Sequence, residues 1–310
     1  MTRMLLKRFG QGILVIVVLQ TITFFLVRQL PGNPFLGERK LPQHIMDQLN
    51  NLYGLDQSAW VQYLNYWKGI ILHGDFGPSL IREGVQVSDI IAQAFPVSLW
   101  LGVLGMLIAV LAGIPAGMLA AYWRNRWPDA LIMLLAMAGI CIPAFVIAPV
   151  LGITLGMHIP GLSVAGWDDA LCAVLPALTL GLVNAAYIAR LTRGGMAEVL
   201  SADFIRTARA KGVGAARILF VHALRSGLLP AVSYLGPAFA ALITGSFVVE
   251  SCFQVPGMGL HFVNATTDRD YFLIQGLVLC YGVLIVAANL AVDLALVALN
   301  PRLRSNCSRR

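Results

Sequence analysis

Long apolar blocks separated by short charged stretches organise this chain. The first runs from Phe9 to about Leu30 behind Arg3, Lys7 and Arg8. Pro96 to Trp123, Ala130 to Met157, Ala170 to Ala189 and Pro230 to Val249 follow, with almost no charge in their interiors. The last, Leu273 to Leu299, carries Asn289 and Asp293 toward its far end, where polar groups can face other helices or reach the interface. About 20 apolar residues in a helix match the hydrocarbon thickness of a bilayer, so the blocks predict six spanning helices. The first block has the polarity of a signal peptide, but it is too long and lacks a small-x-small cleavage site, which predicts a retained span.

Between the first two blocks, residues 31–95 turn polar. Ile45, Met46, Leu49, Leu52 and Tyr53 fall on one face of a helix that Gly54 can end. Trp60, Tyr63, Leu64, Trp67 and Ile71 share a second helical face, suited to the headgroup level of a bilayer, to a cover over the spans, or to a small packed extramembrane subdomain. Pro115, Pro143, Pro149 and Pro176 interrupt the apolar blocks, and Gly113 and Gly117, four apart, allow close helix approach.

Composition agrees with lipid as the main solvent. Of 310 residues 58% are hydrophobic and 12% charged, with a mean hydropathy of +0.77, far from the balance of soluble domains. The fold class predicted is an all-α integral membrane protein. Net charge is +7, and its placement is informative because cytoplasmic loops retain Lys and Arg. Sixteen of the 22 basic residues fall in the N-terminal flank, the alternate loops and the C-terminal tail of one side. This predicts cytoplasmic termini and an even number of spans. Cys141, Cys172, Cys252, Cys280 and Cys307 are scattered singly, which indicates neither a disulfide framework nor a zinc site.

The most informative stretch runs from Arg190 to Leu229. Ser201 can cap a helix over Ala202 to Lys211, Gly212 can break it, and a second helix can run from Ala215 to Ser226 before Pro230 opens the next span. Phe204 and Ala208 share a face while Arg206 and Arg209 point elsewhere, giving an apolar contact and a basic rim for a partner. A nucleic-acid reader is disfavoured, because a loop tied at both ends to spans cannot lie in a major groove. Enforcing topology or binding anionic lipid is the plainer alternative.

Motifs for chemistry are missing. The sequence has no G-x-x-x-x-G-K-[ST] phosphate loop, no H-E-x-x-H and no G-x-S-x-G, so neither nucleotide hydrolysis, zinc chemistry nor acyl transfer is predicted. Ser246 reads as a packing residue in a span. Glu250, near the outer end of the fifth span, is a structural partner for a neighbouring polar group or a cargo contact. Asn184 and Asn289 are interhelical hydrogen-bond formers or ligands.

The run Phe204-Ile205-Arg206-Thr207-Ala208-Arg209-Ala210-Lys211-Gly212, with His222-Ala223-Leu224-Arg225 and Pro230, resembles the Glu-Ala-Ala-x-x-x-Gly loop of membrane subunits in bacterial ABC importers. Aligned on Gly212, the signature alanine falls on Ala208, while Arg206 and Thr207 replace the Glu and the first Ala. Those departures are typical of the peptide and nickel branch. The start Leu6-Lys7-Arg8, Pro31-Gly32-Asn33-Pro34, His73-Gly74-Asp75-Phe76-Gly77-Pro78-Ser79 and Phe95-Pro96-Val97-Ser98 resemble the same branch. So do Ile243-Thr244-Gly245-Ser246 with Glu250, Pro256-Gly257-Met258-Gly259, Asp268-Arg269-Asp270-Tyr271 and Asn300-Pro301-Arg302. The insertion from Gly37 to Pro42 resembles the oligopeptide-permease members.

The resemblance implies a non-catalytic permease subunit in the inner membrane. Its ATPase-coupling residues would be Phe204, Arg206, Thr207, Ala208, Arg209, Lys211, Gly212, Arg217 and His222, and Glu250 and Asn184 are candidates for the translocation path. Implied partners are a second homologous permease, two ATPase subunits that bind ATP and Mg, and a periplasmic substrate-binding protein; the chain itself would hold no cofactor or metal. The implied organisation is residues 1–30 as N-terminus and first span, 31–95 as an extracytoplasmic insertion, 96–299 as a core including the loop 190–229, and 300–310 as a tail. Oligopeptides are the first expectation for cargo, then dipeptides, then nickel or metal chelates. The rival class is a gradient-driven channel or secondary transporter, for which neither internal repeats nor buried ionisable pairs are evident.

Overall fold

The computed structural model describes residues 2–29, 42–244 and 247–299. Among these residues the chain is built of helices, with one isolated β-bridge between Pro78 and Gln86 and no strand. The expectations placed on residues 30–41, on Gly245 and Ser246, and on residues 300–310 lie outside the described residues. Among the described residues four helices are long and apolar enough to cross a bilayer, or up to six if each of two bent pairs is one span.

The long helices are α1 (Thr2–Arg28), α4 (Val87–Tyr122), α7 (Val174–Leu200) and α14 (Tyr271–Leu299). One bent pair joins α5 (Trp127–Cys141) to α6 (Ala144–Leu151) and a π-turn at an angle of 104°. The other joins α9 (Ala215–Arg217), a π-helical stretch and α10 (Leu224–Gly227) to α11 (Leu229–Thr244) at 53°. Shorter helices are α2 (Gln43–Leu52), α3 (Ala59–His73), α8 (Asp203–Ala210), α12 (Phe247–Phe253) and α13 (Met258–Asp268).

At the centre α4 lies against α7, and glycine sets their separation. A Cβ on Gly113 would sit 2.7 Å from the Ala185 carbonyl oxygen, and one on Gly117 would sit 2.6 Å from Thr192 Cβ. Gly181 on α7 closes on Ile108 in the same way, at 2.7 Å. The close approach expected from Gly113 and Gly117 is therefore present, and it extends over a longer stripe of small residues. Around this pair, α5 packs on α7, α11 bridges α4, α7 and α14, and α1 lies outermost on α14. The outward faces of α1, α4 and α5, represented by Ile13, Leu14, Leu107, Leu111, Leu134 and Leu135, are exposed and apolar, as lipid contact requires.

Several boundaries differ from those read in the sequence. The helix that carries the second apolar block begins at Val87, upstream of Pro96, and residue 95 lies within it; Val87, Ile90 and Ala94 are buried and extend the packed face by more than two turns. The third is not one continuous helix. Pro143 forces Ile142 out of the helical region, to ψ 119°, because the proline ring clashes with a helical predecessor. The fourth runs to Leu200 instead of Ala189, which moves Arg190 and Arg193 from the loop onto a helix. Ser201 does not cap the next helix; it ends α7, its hydroxyl donating to the Glu198 carbonyl at 2.7 Å.

The stripe on α3 splits in two. Tyr63 meets Phe24 of α1 edge to face, centroids 5.1 Å apart, and stacks on Phe25 at 5.9 Å, its hydroxyl hydrogen-bonded to Thr21 at 2.7 Å. Arg28 Nε and Nη2 both donate to Gln62 Oε1, at 2.9 and 2.6 Å. Trp60, Leu64 and Ile71 stay exposed. Leu49 of α2 and Tyr53 just after it pack against a buried cluster built mainly from α4, α13 and α14, whereas Leu52, expected on the same face, is 74% exposed.

Candidate functional site

The eight-residue α8 is fixed to the bundle through one side chain. Ile205 is fully buried among Met118 and Ala121 of α4, Met196 and Ala197 of α7, and Ile218 and Ala223 beyond the turn. Asp203 in its first turn and Arg209 in its last suit the helix dipole. Its end is a Schellman motif: Gly212 N–H donates to the Arg209 carbonyl at 3.0 Å and Val213 N–H to the Ala208 carbonyl at 3.1 Å. That closure needs the left-handed conformation, and Gly212 has φ +77°, where an L side chain is strained. The breaker role expected of Gly212 thus has a geometric cause.

With Ile205 turned inward, the rest of α8 is presented outward. Phe204 is 53% exposed; Arg206, Thr207, Arg209 and Lys211 are exposed and Ala208 is half-buried. Arg217 is exposed and His222 half-buried on the following helical stretch. The Arg206–Asp203 pair, 3.5 Å apart and open to solvent, contributes little to stability. The result is a rigid knob with an aromatic centre and a basic edge.

Two further junctions unite motifs that are remote in sequence. Glu250 on α12 is fully buried. Its Oε1 accepts from the Ser98 hydroxyl at 3.0 Å and its Oε2 from Leu260 N–H at 3.1 Å, while Ser98 Oγ accepts from Met258 N–H at 2.8 Å. A carboxylate and a hydroxyl thereby satisfy the first amides of α13. Gly257 fits only because it lacks a Cβ, which would lie 2.5 Å from the Glu250 carboxylate. Elsewhere on α13, burial and then the Arg82 guanidinium hold His261 below its usual range, favouring the neutral ring. The second junction is Asp270, 2% exposed. It accepts from the Ser79 hydroxyl and from Leu80 and Leu273 N–H, both at 3.2 Å.

Asn184 lies in a different setting. Half-buried on α7, it donates to the Leu180 carbonyl at 2.9 Å and accepts from the Tyr234 hydroxyl of α11 at 3.2 Å. Tyr234 stacks on Tyr187, centroids 5.7 Å apart. The sequence reading passed over both tyrosines and also missed an ion pair. Arg193 meets Asp129 through two parallel bonds of 2.6 and 2.7 Å, and Asp129 also accepts from Asn125 N–H. This fork holds the start of α5 on α7 near the knob. Arg8 and Asp293 pair at 3.2 Å between α1 and α14, giving Asp293 a partner on a neighbouring helix.

A multi-pass helical bundle that displays a short basic helix at one end, with no nucleotide loop in its sequence, has the form of a membrane subunit of a transporter. The chain belongs to the family described as binding-protein-dependent transport system inner membrane component, whose model matches residues 113–305; a companion model for the N-terminal part of such membrane components matches residues 1–102. It is 42% identical over 307 residues to an oligopeptide transport system permease protein of Haemophilus influenzae, covering 98% of this chain and 100% of the relative. The corresponding Escherichia coli K12 protein is 42% identical over 306 residues, covering 98% and 100%. A dipeptide transport system permease of Bacillus subtilis is 40% identical over 304 residues, 98% of each chain. Among solved structures, an inward-facing MetNI methionine ABC transporter matches with a TM-score of 0.57 at 16% identity, over 68% of this chain and 96% of that one; this shows the shared fold.

Proposed function

We propose that this chain is the permease subunit of an ATP-driven importer for oligopeptides. It would cross the inner membrane six times, with both termini cytoplasmic and residues 31–95 on the periplasmic side. The reading rests on near-full-length 42% identity to oligopeptide permease proteins in two organisms. Dipeptide cargo is the second reading, favoured by the 40% identity to the Bacillus subtilis relative.

In this scheme the subunit pairs with a second permease to enclose a path, each docking on an ATPase subunit that binds ATP and Mg. A periplasmic binding protein hands over the cargo. Phe204, Thr207 and Ala208 would enter a cleft of the ATPase, with Arg206, Arg209, Lys211 and Arg217 along its edge. Closure of the ATPases on ATP moves α8 as a rigid body, because Ile205 and the Gly212 turn leave it no independent freedom, and that motion switches the cavity between inward and outward access.

Substitution of Ala208 by glutamate tests the coupling. It adds a charge to the docking face but leaves Ile205 and Gly212 in place. Reconstituted transporter carrying A208E is expected to hydrolyse ATP without loaded binding protein raising the rate, and to import peptide at least about tenfold more slowly, which corresponds to about 1.4 kcal/mol. Wild-type coupling and uptake would refute the docking role.

A further inference from the structure

The outward faces of α1, α4 and α5 are apolar where they meet lipid, but the face shared by α7 and α11 is not. It carries Asn184, Tyr187, Arg190, Ser233 and Tyr234, all exposed or half-buried. Asn184 and Tyr187 sit at the middle of the 31-residue candidate span Ala170–Leu200, so a bilayer centred on that helix holds them near its mid-plane. Tyr234 is at the same depth, since its hydroxyl reaches Asn184. Polar groups at that depth are costly against hydrocarbon and instead face a partner or a wet cavity. Arg190, one turn from Tyr187, has no ion pair among the described residues, and an exposed unpaired guanidinium requires water. The face is therefore wet.

We propose that Asn184, Tyr187 and Tyr234 form a cargo contact within the translocation path, which takes the main chain and the apolar or aromatic side chains of a peptide; the proposal rests on the peptide-import reading. The set is uncharged and offers both hydrogen-bond senses. The Tyr187 hydroxyl has no partner among the described residues, and Asn184 keeps a second amide proton after bonding Leu180. Beside them two ring faces, tilted 29° to each other, offer flat apolar area for stacking. Such a site carries peptides without demanding a charge, while favouring aromatic side chains.

The test uses the complete transporter in proteoliposomes, with labelled trialanine and Ala-Phe-Ala supplied by the binding protein. The Y187A/Y234A variant is expected to import Ala-Phe-Ala about tenfold more slowly per assembled complex, as loss of two ring contacts implies, with a smaller loss for trialanine. Y187F/Y234F, which keeps the rings, is expected to retain the preference for Ala-Phe-Ala. Unaltered uptake of both peptides by Y187A/Y234A would overturn the proposal. So would loss of the second permease during gel filtration of that variant, which would mark the face as a packing interface. Absence of peptide uptake by the unmutated transporter would instead sink the peptide-import reading itself.

Discussion

A valine in place of Gly117 is expected to keep the chain from accumulating as a folded membrane protein. The new Cβ would meet the Ala189 carbonyl oxygen, Thr192 Cβ at 2.6 Å and Arg193 N at 3.0 Å. Two of those atoms are backbone, so no side-chain rotation relieves the clash and α4 and α7 must separate. Separation also opens the Gly113 and Gly181 contacts. Overpacking at one site usually costs about 1–3 kcal/mol, and here the cost spreads along the whole central helix pair, placing the expected loss above about 3 kcal/mol, a large part of a typical folding free energy. Gly10, which has nothing within 4 Å of its Cβ position, supplies the control. G10A is expected to reach wild-type levels in membranes, while G117V is expected to be degraded or to melt at much lower temperature in mild detergent.

Removal of the Glu250 carboxylate is expected to have the second-largest effect. Glu250→Ala leaves the buried Ser98 hydroxyl and the part-buried Leu260 amide without their acceptor. Each buried unsatisfied group costs about 1–3 kcal/mol, and the α13 N-terminus also loses a charge that suits its dipole. A combined loss of about 2–4 kcal/mol is expected, read as a lowered thermal midpoint. Gly257→Ala should produce the same kind of loss by pushing a methyl group into the carboxylate. If E250A keeps its thermal midpoint but loses uptake, Glu250 contacts cargo and is not a structural clamp.

The apolar blocks made the spans legible, because lipid demands long uninterrupted apolar helices whatever their neighbours are. Their ends were less legible. Arg190 and Arg193 look like the end of a span, yet α7 continues through both because Asp129, 64 residues away, neutralises Arg193 and the small face of α7 stays buried to Ala197. Prolines were ambiguous for a related reason. Pro96 and Pro115 lie within α4, whereas Pro143 breaks a helix, and only packing distinguishes the cases.

The knob around α8 was readable because its determinants are local: a glycine at the turn and an i, i+4 pair. Ile205, the residue that fixes it to the bundle, gave no such signal; its partners come from three different segments. The junctions at Glu250 and Asp270 show the same limit. Ser98 and Glu250 are 152 residues apart, and Ser79 and Asp270 are 191 apart. The resemblance marked each stretch separately, but no spacing rule places them together. Tyr187 and Tyr234 looked like ordinary residues of apolar spans until their exposure set them apart.

The account depends above all on α8 being a cytoplasmic docking element, and cross-linking reports on that directly. A cysteine in place of Phe204, in a chain otherwise freed of cysteines and assembled with its partners, is treated during turnover with a short maleimide–succinimidyl ester reagent, which joins that thiol to a nearby lysine amine. The expected result is a cross-link to the ATPase subunit whose yield changes with ATP, and no reaction with a membrane-impermeant thiol reagent added outside intact cells. Labelling of position 204 from outside, or steady peptide import by a complex that never forms the cross-link, would contradict it.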